Sequence, residues 1–84
     1  MRFTKPLTEL YQGEYGYIVD LRDHDVCEDF FDMGCFPGDM ITVLENNPSK
    51  DSMQVSCKNF QFPIYKRAAK KVITNIVSLE MHLN

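Results

Sequence analysis

The chain has 84 residues, of which 44% are hydrophobic and 25% are charged, and this length corresponds to one small domain. A core of this size leaves little room for a large enclosed cofactor or a deep catalytic cleft. Nine Lys and Arg against twelve Asp and Glu give a net charge of -3, which argues against nucleic-acid binding driven by overall charge. We therefore predict a single domain over residues 1–84 that does not bind nucleic acid.

The start of the chain has no apolar run of the kind that directs export, because Arg2, Lys5 and Glu9 interrupt it. No later stretch approaches the roughly 20 apolar residues of a membrane-spanning helix. The cysteines are odd in number, which does not suit a disulfide framework. These observations predict a cytoplasmic protein without direct membrane insertion, whose cysteines stay reduced: Cys27, Cys35 and Cys57.

Turn residues divide the chain into short apolar segments, which is typical of a small β-protein. Lys58 and Asn59 separate two of these segments and predict a tight hairpin in which Asn59 adopts the positive φ. Pro63 predicts an edge position for its strand, whereas apolar residues on both faces of the last segment predict a central or barrel-closing strand. The predicted strands are residues 15–21, 39–45, 52–57, 60–65 and 72–79.

One helix is predicted between the first two strands. Asp25 and Glu28 have the spacing of a capping box, and Gly34 suits a left-handed end of the helix. The apolar stripe consists of Val26, Phe30 and Met33, and the opposite side carries Glu28, Asp29 and Asp32. The whole pattern predicts a mainly β fold, a small SH3-like barrel of about five strands with one short inserted helix. Its predicted core includes Ile18, Phe30, Met33, Ile41, Val43, Val55, Val72 and Ile76.

Catalytic and phosphate-binding signatures are missing from the sequence, including the G-x-x-x-x-G-K-[ST] and H-E-x-x-H patterns. His24 is the only histidine placed well enough to act as a general base. We therefore expect a protein that is not an enzyme.

His24 and Cys27 are the candidate metal ligands, because imidazole and thiolate both suit divalent transition metals such as Fe²⁺. Two ligands leave the coordination shell of the metal incomplete, and a second chain would complete it. This interpretation therefore predicts a metal-binding or metal-sensing protein that forms a homo-oligomer, a dimer, when it binds metal. The alternative is a solvated histidine ahead of a helix and a cysteine within its apolar stripe.

Two further features are candidates for partner binding. The only basic cluster contains Lys66, Arg67, Lys70 and Lys71, and it is either a docking patch or a solvated face. Phe36, with Pro37 after it, either points outward as an interface anchor or packs back over the end of the helix. The two features together could flank a shallow groove.

Three segments resemble the ferrous-iron-transport protein A (FeoA) family over nearly the whole chain. The most distinctive is the string FFDMGCFPG at residues 30–38, which is similar to the family's L-L-D-L-G-L-x-P-G and includes Gly34, Pro37 and Gly38 as structural positions. Residues 7–19 and 64–73 resemble the opening and closing patterns of the family. Departures are Cys35 in place of a larger aliphatic residue, Asn59 at a frequent glycine position, and acidic Glu28 and Asp29 where relatives are often basic.

The resemblance implies an SH3-like barrel that serves as an accessory protein of ferrous iron uptake. It also implies a partner, the membrane ferrous iron transporter with its cytosolic GTP-binding domain, and hence a location at the inner membrane through that partner. No cofactor is required for such a role. A similar module forms the C-terminal domain of iron-dependent repressors, which carry DNA-binding helices ahead of it.

Overall fold

The computed structural model describes residues 3–76, which form six strands, two helices and a 3₁₀ turn. The strands are β1 (Thr4–Pro6), β2 (Tyr15–Leu21), β3 (Met40–Glu45), β4 (Ser52–Cys57), β5 (Phe60–Tyr65) and β6 (Val72–Ile76). The helices are α1 (His24–Asp32) and α2 (Lys66–Ala69), and the 3₁₀ turn is Leu7–Glu9. All strands belong to one antiparallel sheet with the order β1-β6-β2-β3-β4-β5.

The predicted fold class is confirmed, with α1 inserted between the first two predicted strands. The last predicted strand is central, because β6 lies between β1 and β2, and its predicted residues 77–79 lie outside the described part. Pro63 lies in an edge strand as predicted, since β5 ends the sheet. Within residues 3–76 the hydrogen-bonded order has two ends, β1 and β5, so hydrogen bonds between these outer strands do not close the sheet.

Strand β1 and helix α2 were not predicted. Thr4–Pro6 is too short to show a periodic pattern, and it is held by pairing with β6. The buried hydroxyl of Thr74 in β6 also donates a hydrogen bond of 2.9 Å to the carbonyl oxygen of Lys5. This partner lies 69 residues away along the chain, so local sequence could not indicate the strand.

The core lies between the inner face of the sheet, α1 and the 3₁₀ turn. Strands β3 and β4 alternate inward and outward residues, which buries Ile41 and Val43 as predicted. Of the predicted core, Met33 and Ile76 are only partly buried and pack against its margin. Leu7 and Leu10 are fully buried although neither belongs to a strand, because the 3₁₀ turn folds over the end of the sheet.

The N-cap of helix α1 lies two residues before the predicted one. Its N-cap is Asp23, whose Oδ1 accepts hydrogen bonds of 2.9 Å from the Asp25 amide and 3.2 Å from the Val26 amide. The prediction of Asp25 as the cap was therefore wrong, because the extended backbone of Asp23 brings its carboxylate to the free amides of the first turn. Glu28 instead lies one turn from His24.

The β4–β5 hairpin has the predicted length but not the predicted backbone. Cys57 pairs with Phe60 across two loop residues, and Lys58, not Asn59, adopts the positive φ of 58°. A positive φ at the first loop position is the pattern of a type II′ turn. The side chain of Lys58 also reaches Asp39, with 3.4 Å between Nζ and Oδ1.

Candidate docking surfaces

The segment between α1 and β3 is a fixed turn. Gly34 (φ 76°) and Gly38 (φ 100°) take the left-handed conformations expected of them. The Phe36 amide donates to Asp39 Oδ2 over 2.8 Å, and the Gly38 amide donates to the Ile18 carbonyl over 2.7 Å. These bonds fasten the turn to β2 and to itself, so it presents its side chains in one arrangement.

Phe36 combines the two orientations that the sequence left open. Its ring packs against the ring of Phe31 at the end of α1, with 4.9 Å between centroids. Both rings are still 46% exposed, and Pro37 beside them is exposed as well. We call Phe31 and Phe36 the aromatic pair; it forms an exposed apolar patch at the end of α1.

The basic cluster divides into two parts in the structure. Lys66 and Arg67 line a cleft of about 520 Å³ together with the loop after β3, which we call the basic cleft. Lys70 is exposed and Lys71 is half-buried, and neither of them lines this cleft. The full lining of the basic cleft is Pro48, Lys50, Asp51, Tyr65, Lys66 and Arg67.

Hydrogen bonds to the loop hold the basic cleft in shape. Lys66 donates from Nζ to the Asn47 carbonyl and from its amide to the Asp51 carbonyl, each over 2.7 Å. Arg67 places its guanidinium 4.8 Å from the centre of the Tyr65 ring, a cation–π arrangement. The cleft therefore has a positive wall on α2.

A second cavity, which sequence reasoning missed, lies between α1, β5 and α2. We call it the apolar groove, and its volume is about 360 Å³. Its floor contains Phe62, whose ring meets Phe30 edge-on with centroids 5.8 Å apart. Among residues 3–76, Asp29 and Asp32 are the only charged residues in its lining. The remaining lining is Val26, Phe30, Met33, Phe62, Pro63, Ile64 and Ala68.

Two residues of the apolar groove lie close in sequence to the features predicted to flank a groove. Met33, three residues before Phe36, and Ala68, between Arg67 and Lys70, line the groove. Phe36 itself and the basic residues of the cluster do not line it. The available signal in the sequence was the i, i+3 spacing of Asp29 and Asp32 beside the apolar stripe of the helix.

The predicted metal ligands are placed on α1 without a complete set of partners. His24 is exposed, and its Nε2 lies 3.6 Å from Oε2 of Glu28. Cys27 is half-buried. Within residues 3–76, no three His, Cys, Asp or Glu residues are grouped so that they could hold a metal ion. Metal binding by His24 and Cys27 therefore stays a prediction.

The other two cysteines belong to the core. Cys35 and Cys57 are buried in the core, as predicted. Burial, together with a hydrogen bond that the Cys57 thiol donates to the neighbouring Cys35 side chain, raises the pKa of the Cys57 thiol to about 12. Cys57 therefore stays protonated at neutral pH, which makes it a poor metal ligand and a poor nucleophile.

Neither helix within residues 3–76 has the length and apolar character needed to cross a membrane. The sheet and the two short helices define a small SH3-like domain, whose surface displays an aromatic pair, a basic cleft and an apolar groove. The sequence model of the FeoA domain matches residues 5–75, and the chain belongs to this family. The family consists of small accessory domains of ferrous iron transport.

Solved structures share this fold. An iron uptake regulatory protein, FeoA, is 29% identical with a TM-score of 0.77, and the match covers 89% of this chain and 100% of that one. FeoA of Stenotrophomonas maltophilia, a prokaryotic SH3 domain protein solved with zinc, is 16% identical with a TM-score of 0.71, and the match covers 88% of each chain.

A manganese-dependent transcriptional repressor shows the same fold inside a larger protein. It is 14% identical with a TM-score of 0.80, and the match covers 88% of this chain but 37% of the repressor. At this identity the likeness concerns the fold alone. Comparison with curated proteins found no match.

Proposed function

We propose that this chain is a cytoplasmic accessory protein of ferrous iron uptake that binds the cytosolic GTP-binding domain of the membrane ferrous iron transporter and modulates it without catalysis. The match of the FeoA domain model to residues 5–75 carries this proposal. Association with the transporter would bring the chain to the inner membrane without inserting it.

The aromatic pair and the basic cluster are the proposed contacts. Phe36 is half-exposed on a turn that hydrogen bonds fix, so little conformational entropy is lost when a partner covers it. Pro37 adds exposed apolar surface beside it. Lys66, Arg67, Lys70 and Lys71 supply positive charge on and after α2, which favours an acidic surface on the partner.

Modulation requires that the chain bind two states of the transporter with different affinity. A GTP-binding domain alternates between nucleotide states, and a protein that prefers one state shifts the population toward it. Reactive groups on the accessory chain are not needed for such an effect.

Binding to the purified GTP-binding domain, measured by calorimetry with a GTP analogue, with GDP and without nucleotide, tests the proposal. We expect binding in at least one state and a difference between states. Phe36→Ala should weaken binding, whereas Phe60→Ala, which removes another exposed aromatic ring, should not. Absence of binding in every nucleotide state would contradict the proposal.

The charge contribution has its own matched pair of variants. Lys70→Glu and Lys5→Glu make the same change at two exposed lysines, of which only Lys70 belongs to the basic cluster. We expect Lys70→Glu to weaken binding more, and the difference to shrink as the salt concentration rises. Equal affinities for the two variants would remove the basic cluster from the interface.

Metal-dependent dimerisation is the second candidate. It rests on His24 and Cys27, and it is supported by the Glu28 carboxylate, which lies 3.6 Å from His24, and by a FeoA structure solved with zinc. His24 and Cys27 from each of two chains would make four ligands. Sizing chromatography with Fe²⁺ or Zn²⁺ and with chelator tests it: a His24→Ala-sensitive dimer supports it, and a monomer under all conditions contradicts it.

A further inference from the structure

We propose that the apolar groove is a second docking site, which binds an amphipathic helix of a partner protein whose apolar side chains are flanked by Lys or Arg. This site is distinct from the aromatic pair and the basic cluster, so the inference goes beyond the proposed function and does not depend on it.

The groove has the shape and the surface of a binding site for apolar side chains. Its floor is rigid, because the Phe62 ring meets the ring of Phe30, which is 1% exposed and belongs to the core. Pro63 and Met33 leave part of their apolar surface accessible at its margins. Water in such a groove is displaced favourably by an apolar side chain.

The charge at the groove selects the kind of partner. Asp29 and Asp32 are both exposed, and the described part of the chain places no Lys or Arg in the lining of the groove. Neither carboxylate has an ion-pair partner among residues 3–76. A segment with Lys or Arg beside its apolar residues would complement this margin, whereas an acidic segment would be repelled.

The position of these carboxylates in α1 is unfavourable for folding. Both lie in the last turn of the helix, which contains no basic residue, and the helix dipole places its negative end there. They also stand at i, i+3 to each other, so their charges repel. Folding of the chain alone gains nothing from this arrangement, but a cationic ligand would relieve it.

The edge strand argues for a helical ligand over an extended one. The Cys57–Phe60 pair closes the two-residue loop and is hydrogen-bonded, and hydrogen-bonded and non-hydrogen-bonded pairs alternate from there along β4 and β5. The Gln54–Pro63 pair is therefore non-hydrogen-bonded, so the backbone N and C=O of Pro63 point away from β4. Proline has no amide hydrogen, and the free edge of β5 therefore lacks a donor at its middle. An extended ligand therefore pairs poorly with β5 beside the groove, which favours a helical one.

A peptide titration of the full chain tests the inference. The probe is a synthetic helical peptide with leucines at i and i+4 and lysines beside them; its controls replace the lysines by glutamates or the leucines by alanines. We expect chemical-shift changes of backbone amides in residues 26–33 and 62–68, and weaker binding of both control peptides. Equal binding of the glutamate peptide, or shift changes elsewhere, would overturn the inference.

Charge-neutral variants separate binding from folding. Asp29→Asn/Asp32→Asn should weaken binding of the lysine peptide at least about fivefold at low salt. The Tm of this double variant should rise, because the C-terminal end of α1 loses unfavourable negative charge. The matched control Asp25→Asn/Glu28→Gln changes the net charge equally at residues that do not line the groove, and it should keep the affinity. An equal loss of peptide affinity in both double variants would show that only the net charge of the chain matters, and it would contradict binding at the groove.

Two alternatives to a helical ligand, an extended strand paired with β5 and a second copy of the chain, can be distinguished by experiment. Pro63→Val restores an amide at the free edge, and tighter peptide binding by this variant would show strand addition and overturn the helical ligand. Dimerisation of the chain, detected by sizing at increasing concentration, with amide shifts at the same groove would make a second copy its occupant and also overturn the inference. Unchanged affinity in Pro63→Val and a monomer throughout support it.

Discussion

The apolar groove and the basic cleft lie next to each other along one stretch of chain but are held in shape by different forces. Phe62, Pro63 and Ile64 of β5 line the groove, and the following Tyr65, Lys66 and Arg67 line the cleft. The groove is backed by the core. The cleft is formed by surface side chains and a loop that hydrogen bonds attach to α2.

The two regions also differ in charge. The groove carries two carboxylates, and the cleft has three cationic residues against Asp51. A net charge of -3 for the whole chain conceals this separation. A small domain can thus present one acidic and one basic surface, because neighbouring residues of β5 and α2 line the groove and the cleft.

The largest expected effect is loss of the ring behind the groove. Phe30→Ala should lower the free energy of unfolding by about 3–5 kcal/mol, because it leaves a cavity in the core under Phe62. Urea denaturation measures this change. Phe31→Ala, a matched change at the exposed neighbour, should cost about 1 kcal/mol or less. Similar losses for both variants would show that the groove is not backed by the core.

The loop of the basic cleft should depend on one amide side chain. Nδ2 of Asn46 donates to the carbonyls of Thr8 and Leu10, over 3.1 and 2.7 Å. Asn46→Ala removes both bonds and should destabilise the chain by about 1–3 kcal/mol in thermal unfolding. Asn59→Ala at the exposed hairpin should stay within about 0.5 kcal/mol. A neutral Asn46→Ala would mean that the cleft does not rely on this attachment.

The buried Cys57 thiol of the core should make the stability of the chain depend on pH. Burial raises the pKa of the Cys57 thiol from 9.0 to about 12, so the folded chain keeps this proton while the unfolded chain releases it. Stability from this thiol is complete below pH 9 and decreases as the pH rises from 9 toward 12.

Comparison of variants isolates the contribution of the Cys57 thiol. Cys57→Ala, though less stable at neutral pH, should lose stability less steeply between pH 8.5 and 10.5 in urea denaturation, about where an ordinary thiol titrates. Identical slopes for the parent and Cys57→Ala would contradict the raised pKa.

The smallest expected effect lies in the wall of the basic cleft. Arg67→Ala loses the cation–π contact with Tyr65, and because both residues are exposed the stability should change by only about 0.5 kcal/mol. Arg22→Ala, which loses an exposed ion pair with Asp20, is the matched control and should be about as small. A loss above about 2 kcal/mol at Arg67 would show that the cleft, like the groove, is part of the cooperative core.

Patterns of adjacent residues determined most of the secondary structure. Alternation in residues 40–45 and 52–57 places Ile41, Val43 and Val55 inside, and glycines at 34 and 38 meet the positive φ that the turn requires. Predictions of single capping or loop residues were less accurate. Asp23 and not Asp25 caps α1, and Lys58 and not Asn59 takes the positive φ, because several neighbouring residues are chemically able to fill each position.

The surfaces and the outer strand were decided by tertiary contacts. Thr4–Pro6 is a strand because β6 is present to pair with it. The apolar groove exists because α1 crosses near Pro63 at the end of the sheet, and the basic cleft exists because Lys66 reaches the loop at Asn47. Each joins segments far apart in the chain, and a local pattern carries no information about which distant segment packs against it.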